Sequence, residues 1–328
     1  MNPDPDTLSA ALDSIADPAG GGGLLTTGRA TAPRISGDAV SVVLDGSGLD
    51  EAQRSALELA VTEALRAAGA TNLRLAMTAE RSGPILVAVA SGKGGVGKST
   101  LAANLAVALA RGGTDVGLVD ADIHGPSVPM LMGTGAARPT AVGDKLQPIT
   151  AHGVKLLSLG MIVEPGKAVA WRGPMAGRAL EQLIQANWAS AKLLIIDMPP
   201  GTGDIQLTLL QRHRPAGAVI VSTPQDLALI DARRAIDLFT SMHVPILGLV
   251  ENMAGYACPH CGEISDPFGS GGAEAAAIAL GIPFLGRIPL DPQIRAASDA
   301  GQPPATGDGP GGEAYRAIAA KLRDALNL

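Results

Sequence analysis

The sequence predicts an α/β protein: a mainly parallel sheet covered by helices on both faces, preceded by a small α+β unit. Three observations predict it. From Pro84 onward, short runs rich in Val, Ile and Leu alternate with helical patterns, as strands buried on both faces require. Residues 1–78 follow a different rhythm, helix, strand, strand, helix, strand. Between the two, "AERSGP" at 79–84 reads as a linker. The domains are therefore 1–78 and 85–328.

In the small unit, "TLSAALDSIADP" places Leu8, Leu12 and Ile15 on one helical face. After the glycines at 20–23 come two β-like stretches, "RATAPRIS" and "AVSVVLDG". "DEAQRSALELAVTEALRAAG" is an amphipathic helix that stops at glycine, and "NLRLAM" is a closing strand. In the large unit, "ILVAVAS" is a continuous apolar strand and "KSTLAANLAVALARGG" the helix after it. "DVGLVDAD", "KLLIIDMP", "GAVIVSTP" and "PILGLVEN" supply further buried strands. Residues 125–170, rich in Gly and Pro, read as a surface excursion. "GGEAYRAIAAKLRDALNL" is a final amphipathic helix that packs onto the sheet.

Composition narrows the function. At 328 residues with 46 % hydrophobic content, the chain can bury one large core and one small one. Aromatics are only 2 %, so Ala, Val, Leu and Ile must build them. A net charge of −6 argues against an open nucleic-acid surface. The start, "MNPDPDTLSA", has no signal-peptide pattern, and no apolar run reaches the roughly 18 residues of a membrane helix. A cytoplasmic protein with no membrane partner is expected.

"SGKGGVGKST" at 91–100 follows directly on the strand "ILVAVA" and contains Gly92-x4-Gly97-Lys98-Ser99, the P-loop pattern. Glycines let consecutive backbone N–H groups turn in around a phosphate, and the helix after them points its positive end there. The cradle is thus Gly92, Lys93, Gly94, Gly95, Val96, Gly97, Lys98, Ser99 and Thr100. Lys98 is expected to reach the β/γ-phosphates of ATP and the Ser99 hydroxyl to ligate Mg²⁺, the alternative being a glycine-rich turn that merely starts a helix. Two acidic strand ends belong beside it. Asp197 in "LLIIDMPPGTGD" suits the Mg²⁺ ligand, Asp122 in "LVDADIHGPS" suits the residue that orients the attacking water, and Asp120 is a second candidate for Mg²⁺. A helix cap or turn role is the alternative for Asp120 and Asp204.

The second lysine, Lys93, makes the loop KGGVGKST, which resembles the deviant P-loop of dimeric ATPases such as the nitrogenase iron protein, MinD and ParA. The resemblance implies that Lys93 reaches across a homodimer to the partner's nucleotide. Five further motifs occur in order: "DADIHGPSVP", "WRGPM", "IDMPPGTGDIQLT", "STPQDLALIDARRAIDLF" and "ENMAGYACPHCG". Together they closely resemble the Mrp/ApbC family of iron–sulfur cluster carrier ATPases over residues 84–328. That resemblance implies a homodimer holding a labile [4Fe–4S] cluster, passed to apo iron–sulfur acceptor proteins with ATP hydrolysis. It also implies an adenine contact for Asn252. Residues 1–78 resemble a MIP18-like domain, although "DPAGGGG" stands where such domains usually carry Asp-Pro-Glu-Leu. His124 stands where many relatives have Tyr. Arg172 of "WRGPM" is a candidate for a dimer contact or for a salt bridge within the excursion.

Both cysteines of the chain, Cys258 and Cys261, sit in one Cys-Pro-His-Cys. A [4Fe–4S] cluster or a structural zinc wants about four such ligands. His260 between them is badly placed for the same metal. The simplest closure is a two-fold dimer in which each chain gives one pair. Bridging zinc, thioredoxin-type redox chemistry and inert cysteines are the alternatives for the motif. A positioning ATPase and a redox-active iron protein are the alternatives for the chain.

Overall fold

The computed structural model describes residues 4–49, 51–78, 83–123, 125–162, 173–201 and 203–328. It divides into two compact units, Met1–Gly83 and Pro84–Leu328.

The small unit runs α1 (Pro5–Asp13), β1 (Arg34–Ser36), β2 (Ala39–Asp45), α2 (Glu51–Ala67), β3 (Asn72–Thr78). Asp4 starts α1 by accepting the Thr7 amide at 3.0 Å. The helix stops before Ile15 because Asp13 is committed elsewhere: its carboxylate takes the Leu25 and Thr26 amides at 3.0 and 2.9 Å. β2 pairs antiparallel with β1 and parallel with β3. The stretch "RATAPRIS" yields a shorter strand than expected. Pro33 has no amide to donate, and before it only Ala30 bridges to Leu44. Leu8, Leu12, Val40, Val42, Leu44 and Val61 share one buried core.

The large unit begins with β4 (Ile85–Ala90), α3 (Lys98–Arg111), β5 (Val116–Asp120) and α4 (Val128–Leu131). Then come β6 (Thr140–Val142), β7 (Lys145–Gln147), β8 (Ile149–Ala151), β9 (Val154–Ser158), α5 (Leu159–Ile162) and α6 (Gly173–Ile184). β10 (Leu193–Asp197), α7 (Asp204–His213), β11 (Gly217–Ser222), α8 (Asp226–Ser241) and β12 (Ile246–Glu251) follow. The chain closes with β13 (Tyr256–Ala257), β14 (Ile264–Ser265), α9 (Gly272–Leu280), β15 (Phe284–Arg287), α10 (Pro292–Asp299), a 3₁₀ turn (Pro304–Thr306) and α11 (Pro310–Ala325).

Eight strands form one sheet in the order β15-β12-β11-β4-β10-β5-β9-β8, parallel except for the β8–β9 pair. Alternate residues of β4 feed two cores. Val87 and Val89 pack with Leu101, Leu105, Tyr315 and Ile318 from α3 and α11. Leu86, Ala88 and Ala90 pack on the other face with Leu180, Leu183 and Phe239. This is the expected sheet covered on both sides.

The excursion is smaller than the sequence suggests. Val154–Ser158 is a buried strand of the main sheet beside β5, and only β6–β7 forms a separate two-stranded ribbon. Phe284–Arg287 is a further strand the sequence did not announce. Among the described residues, no helix is long and apolar enough to cross a membrane. Arg172 and His124 lie outside the described residues.

Candidate functional site: a phosphate cradle and a two-cysteine hairpin

Register puts the chemistry at one end of the sheet. Asp197 pairs directly with Asp120, and Ala90, Ser222 and Glu251 end or nearly end neighbouring strands on the same side. Ligands of open α/β sheets bind outside these carboxyl ends.

The loop at 91–97 joins the central strand to the fully buried face of α3. Gly95 and Gly97 have φ of +81° and +86°, which side chains with a Cβ resist. Gly92 is required for a second reason: a Cβ there would collide with the Asp231 backbone of α8. The Ser91 hydroxyl donates to the Lys93 carbonyl at 2.9 Å and so holds the first turn of the loop. Gly94 and Gly95 are exposed, Val96 is buried, and Ser99 and Thr100 are half-buried at the start of α3. The half-buried Lys93 side chain has no hydrogen bond or ion pair among the described residues.

Lys98 is 7 % exposed and its Nζ lies 2.6 Å from Asp197 Oδ1, 3.3 Å from Ser99 Oγ and 3.9 Å from Asp122 Oδ2. Asp197 is fully buried, and its other oxygen, Oδ2, has no hydrogen-bond partner. Burial raises the Asp197 carboxyl above the usual range, opposed by Lys98 and the Ser99 hydroxyl. Burial, then the neighbouring charge of Asp197, pushes Asp120 up to about 8. Asp120 is also tightly bonded. Its oxygens accept the Asp122 amide at 3.1 Å, the Val128 amide at 3.3 Å and the Ser158 hydroxyl at 3.0 Å. Asp122 is nearly buried and accepts the Gly125 amide at 3.3 Å.

The structure therefore brings Lys98, Ser99, Asp120, Asp122 and Asp197 together. Asn252 joins them through the backbone of the loop. Its side-chain amide donates to the Val96 carbonyl at 2.8 Å, and a Cβ on Gly97 would strike the same amide. In this arrangement Asn252 braces the loop.

Cys258 and Cys261 sit apart from this cluster, on the hairpin β13–β14 that grows from the end of β12. The Cys258 amide donates to the Glu263 carbonyl and the Gly262 amide to the Cys258 carbonyl, both at 2.9 Å. Gly262 has φ +74°, a left-handed conformation within the turn between the two strands. The Cys258 thiol is held below its ordinary range by amide hydrogen bonds from Cys261 and His260, and by the Cys261 thiol. Cys258 is half-buried and Cys261 exposed, and both are free of disulfides. Among the described residues, no three His, Cys, Asp or Glu side chains gather as a metal site.

Three functional neighbours were not legible in the sequence. Ser158 belongs to the unread strand. Gln206 is buried, donates to the Pro199 carbonyl and leaves its own carbonyl unpartnered. Glu251, also buried, accepts the Gly271 and Ala273 amides at 3.1 and 2.7 Å and Arg287 Nε at 3.0 Å. A glutamate directly before Asn252 at a strand end was the available signal for the last.

Residues 84–323 match the ParA-group family model described as the NUBPL iron-transfer P-loop NTPase. The iron-sulfur cluster carrier protein of Deinococcus radiodurans is 42 % identical over 98 % of this chain and 96 % of its own length. That of Escherichia coli K12 is 50 % identical over 66 % of this chain and 60 % of its own. Among solved structures, a nucleotide-binding protein of Archaeoglobus fulgidus in complex with ADP is 40 % identical, with TM-score 0.59 over 66 % of this chain and 86 % of that one. The cell division ATPase MinD of Pyrococcus furiosus, 23 % identical with TM-score 0.54 over 73 % of this chain and 98 % of that one, shares the fold. A family match over that span, with a relative aligned along nearly its whole length, makes this chain a member of the NUBPL iron-transfer P-loop NTPases within the ParA group.

Proposed function

We propose that this chain is an ATP-dependent iron–sulfur cluster carrier. Two copies hold one labile [4Fe–4S] cluster between them through Cys258 and Cys261 of each, and pass it to apo-proteins. The observation that carries this reading is the hairpin itself. It presents two sulfurs with backbone amides already aimed at Cys258, a setting that favours thiolate. One chain supplies no further ligand among its described residues, so a second copy completes the set. The names of the curated relatives support the same cargo. A cluster shared across an interface is also easier to release than one enclosed by a single chain.

The phosphate cradle powers or gates that release. Lys98, freed from Asp197, neutralises the β/γ-phosphates while the amides of residues 92–100 surround them. The Ser99 hydroxyl and the unpartnered oxygen of Asp197 are hard oxygen donors that fit Mg²⁺, with Asp120 behind them. When bound, Mg²⁺ would neutralise charge developing on the phosphate oxygens. Asp122 orients the attacking water. Lys93, half-buried and unpaired among the described residues, reaches the partner's nucleotide. Asn252 contacts the adenine from its position against the loop. No nucleic-acid or membrane partner is proposed, in keeping with the net charge of −6. A reducing cytoplasm suits the free dithiol. The small unit is proposed to be MIP18-like, and its α-β-β-α-β order supports that.

The test is anaerobic reconstitution with iron and sulfide, with Mössbauer spectroscopy and iron counting. About four irons per dimer, absent from Cys258→Ala/Cys261→Ala and released to an apo-acceptor, is the expected result. Wild type without iron, or iron indifferent to the substitutions, overturns the carrier reading.

A further inference from the structure

We infer that Asn252 is a positioning residue tying the phosphate loop to the cysteine hairpin, so that occupation of the loop changes the accessibility of Cys258 and Cys261. The inference rests on the proposed reading of the loop as a phosphate site and of the hairpin as a cargo site.

On the loop side the tie has no slack. The Asn252 amide is buried, bonded to the Val96 carbonyl at 2.8 Å, and packed where Gly97 has no side chain. Its backbone amide donates to the Ser222 carbonyl at 2.8 Å, which fixes it to the end of the neighbouring strand. On the hairpin side the connection is short and kinked. Met253 and Gly255 have φ of +61° and +74°, a left-handed pair that Met adopts only when its flanks are held. They are held. Ala254 donates to the Ile288 carbonyl at 3.0 Å, and Leu290 donates to the Gly255 carbonyl at 2.9 Å. β13 then begins at Tyr256 and delivers Cys258.

The return limb is fastened to the same point. Glu251, adjacent to Asn252, catches the Gly271 and Ala273 amides. Both ends of the hairpin segment are thus anchored at the end of β12, beside the loop. Coupling also needs an element with two arrangements. Lys98 provides it. Here its ammonium rests on Asp197, whereas a phosphate in the loop would compete for that ammonium and for the loop amides. Val96, two residues before Lys98, carries that displacement to Asn252.

The experiment uses the full-length, reduced, metal-free chain. Alkylation of Cys258 and Cys261 by iodoacetamide is timed by mass spectrometry, with and without saturating inorganic tripolyphosphate and Mg²⁺. This probe has no base, so an adenine contact by Asn252 cannot contribute. Calorimetry on the same samples measures its binding. In wild type the alkylation rate is expected to change by about fivefold, within the usual range of coupling between sites. In Asn252→Ala and Asn252→Ser, the second kept in case the first does not fold, tripolyphosphate is raised until calorimetry shows saturation, and at saturation the rate no longer responds. Wild-type thiols indifferent to tripolyphosphate overturn the inference without any variant. A response that survives in the variants also overturns it. Loss of tripolyphosphate binding in both variants overturns it too, because Asn252 is then part of the cradle. The readout needs no iron. A chain that shows the response but never takes up a cluster refutes the carrier reading and leaves the coupling standing.

Discussion

Lys98 and Asp197 hold each other in a setting neither tolerates alone. A buried ammonium 2.6 Å from a buried carboxylate is stable as a pair, and removing one partner strands the other. Lys98→Ala is therefore expected to abolish nucleotide binding in equilibrium dialysis. It should also lower unfolding stability in urea by about 3 kcal/mol, the cost typical of a broken buried pair. Unchanged binding would remove Lys98 from the phosphate site. Asp120 supports a pH prediction. Its folded-state value of about 8 lies well above the roughly 3.9 of an unfolded aspartate. Between those values the folded chain keeps a proton that the unfolded chain releases, so stability falls as pH rises from about 4 to about 8. Asp120→Asn should flatten that slope in urea titrations at pH 5 and pH 8, and an unaltered slope would assign it to other groups. The loop and the three aspartates were legible because each lies in a short local pattern at a strand end. Ser158, which bonds Asp120 from 38 residues away, was not legible, because no local pattern announces so distant a partner.

The elements that escaped sequence reading did so for a physical reason. Val154–Ser158 is a buried strand, but Lys155 interrupts its apolar run. The lysine escapes burial by reaching Asp115 at 2.6 Å. Phe284–Arg287 is only four residues long and contains Gly286 at φ +151°. By contrast, the buried parallel strands β4, β5, β10, β11 and β12 were read directly, because both of their faces are covered and the whole run must be apolar. α3 carries one polar residue in its buried run, and the structure gives it a task. Asn104 accepts the Ala305 amide at 2.8 Å and donates to the Thr100 carbonyl at 2.9 Å, fastening the 3₁₀ turn before α11 to α3. Asn104→Ala leaves the Ala305 N–H buried and unpaired, at a cost of about 1–3 kcal/mol. Urea unfolding checks this, and a neutral result would mean that the turn finds another acceptor.

At the scale of the whole chain, the hydrophobic clusters respect the division at residue 83. One contains only residues of the small unit, and the other two only residues of the large one. Each unit therefore has its own driving force for folding. Their sizes make those driving forces unequal. Smaller chains bury a smaller fraction of their surface, so residues 1–83 should be the weaker unit. Two separate cores of different strength predict two transitions on heating rather than one. Differential scanning calorimetry of the full chain should resolve them, with the lower one belonging to the small unit. A chain reduced to residues 84–328 should lose only the lower transition and keep the upper one within a few degrees. It should also bind ATP as the full chain does, since every residue of the phosphate cradle lies in that unit. ATP should in turn raise the upper transition and leave the lower one in place, because a ligand stabilises only the unit that holds it. A single transition in the full chain, or a shortened chain that aggregates, would show that the two cores are energetically one.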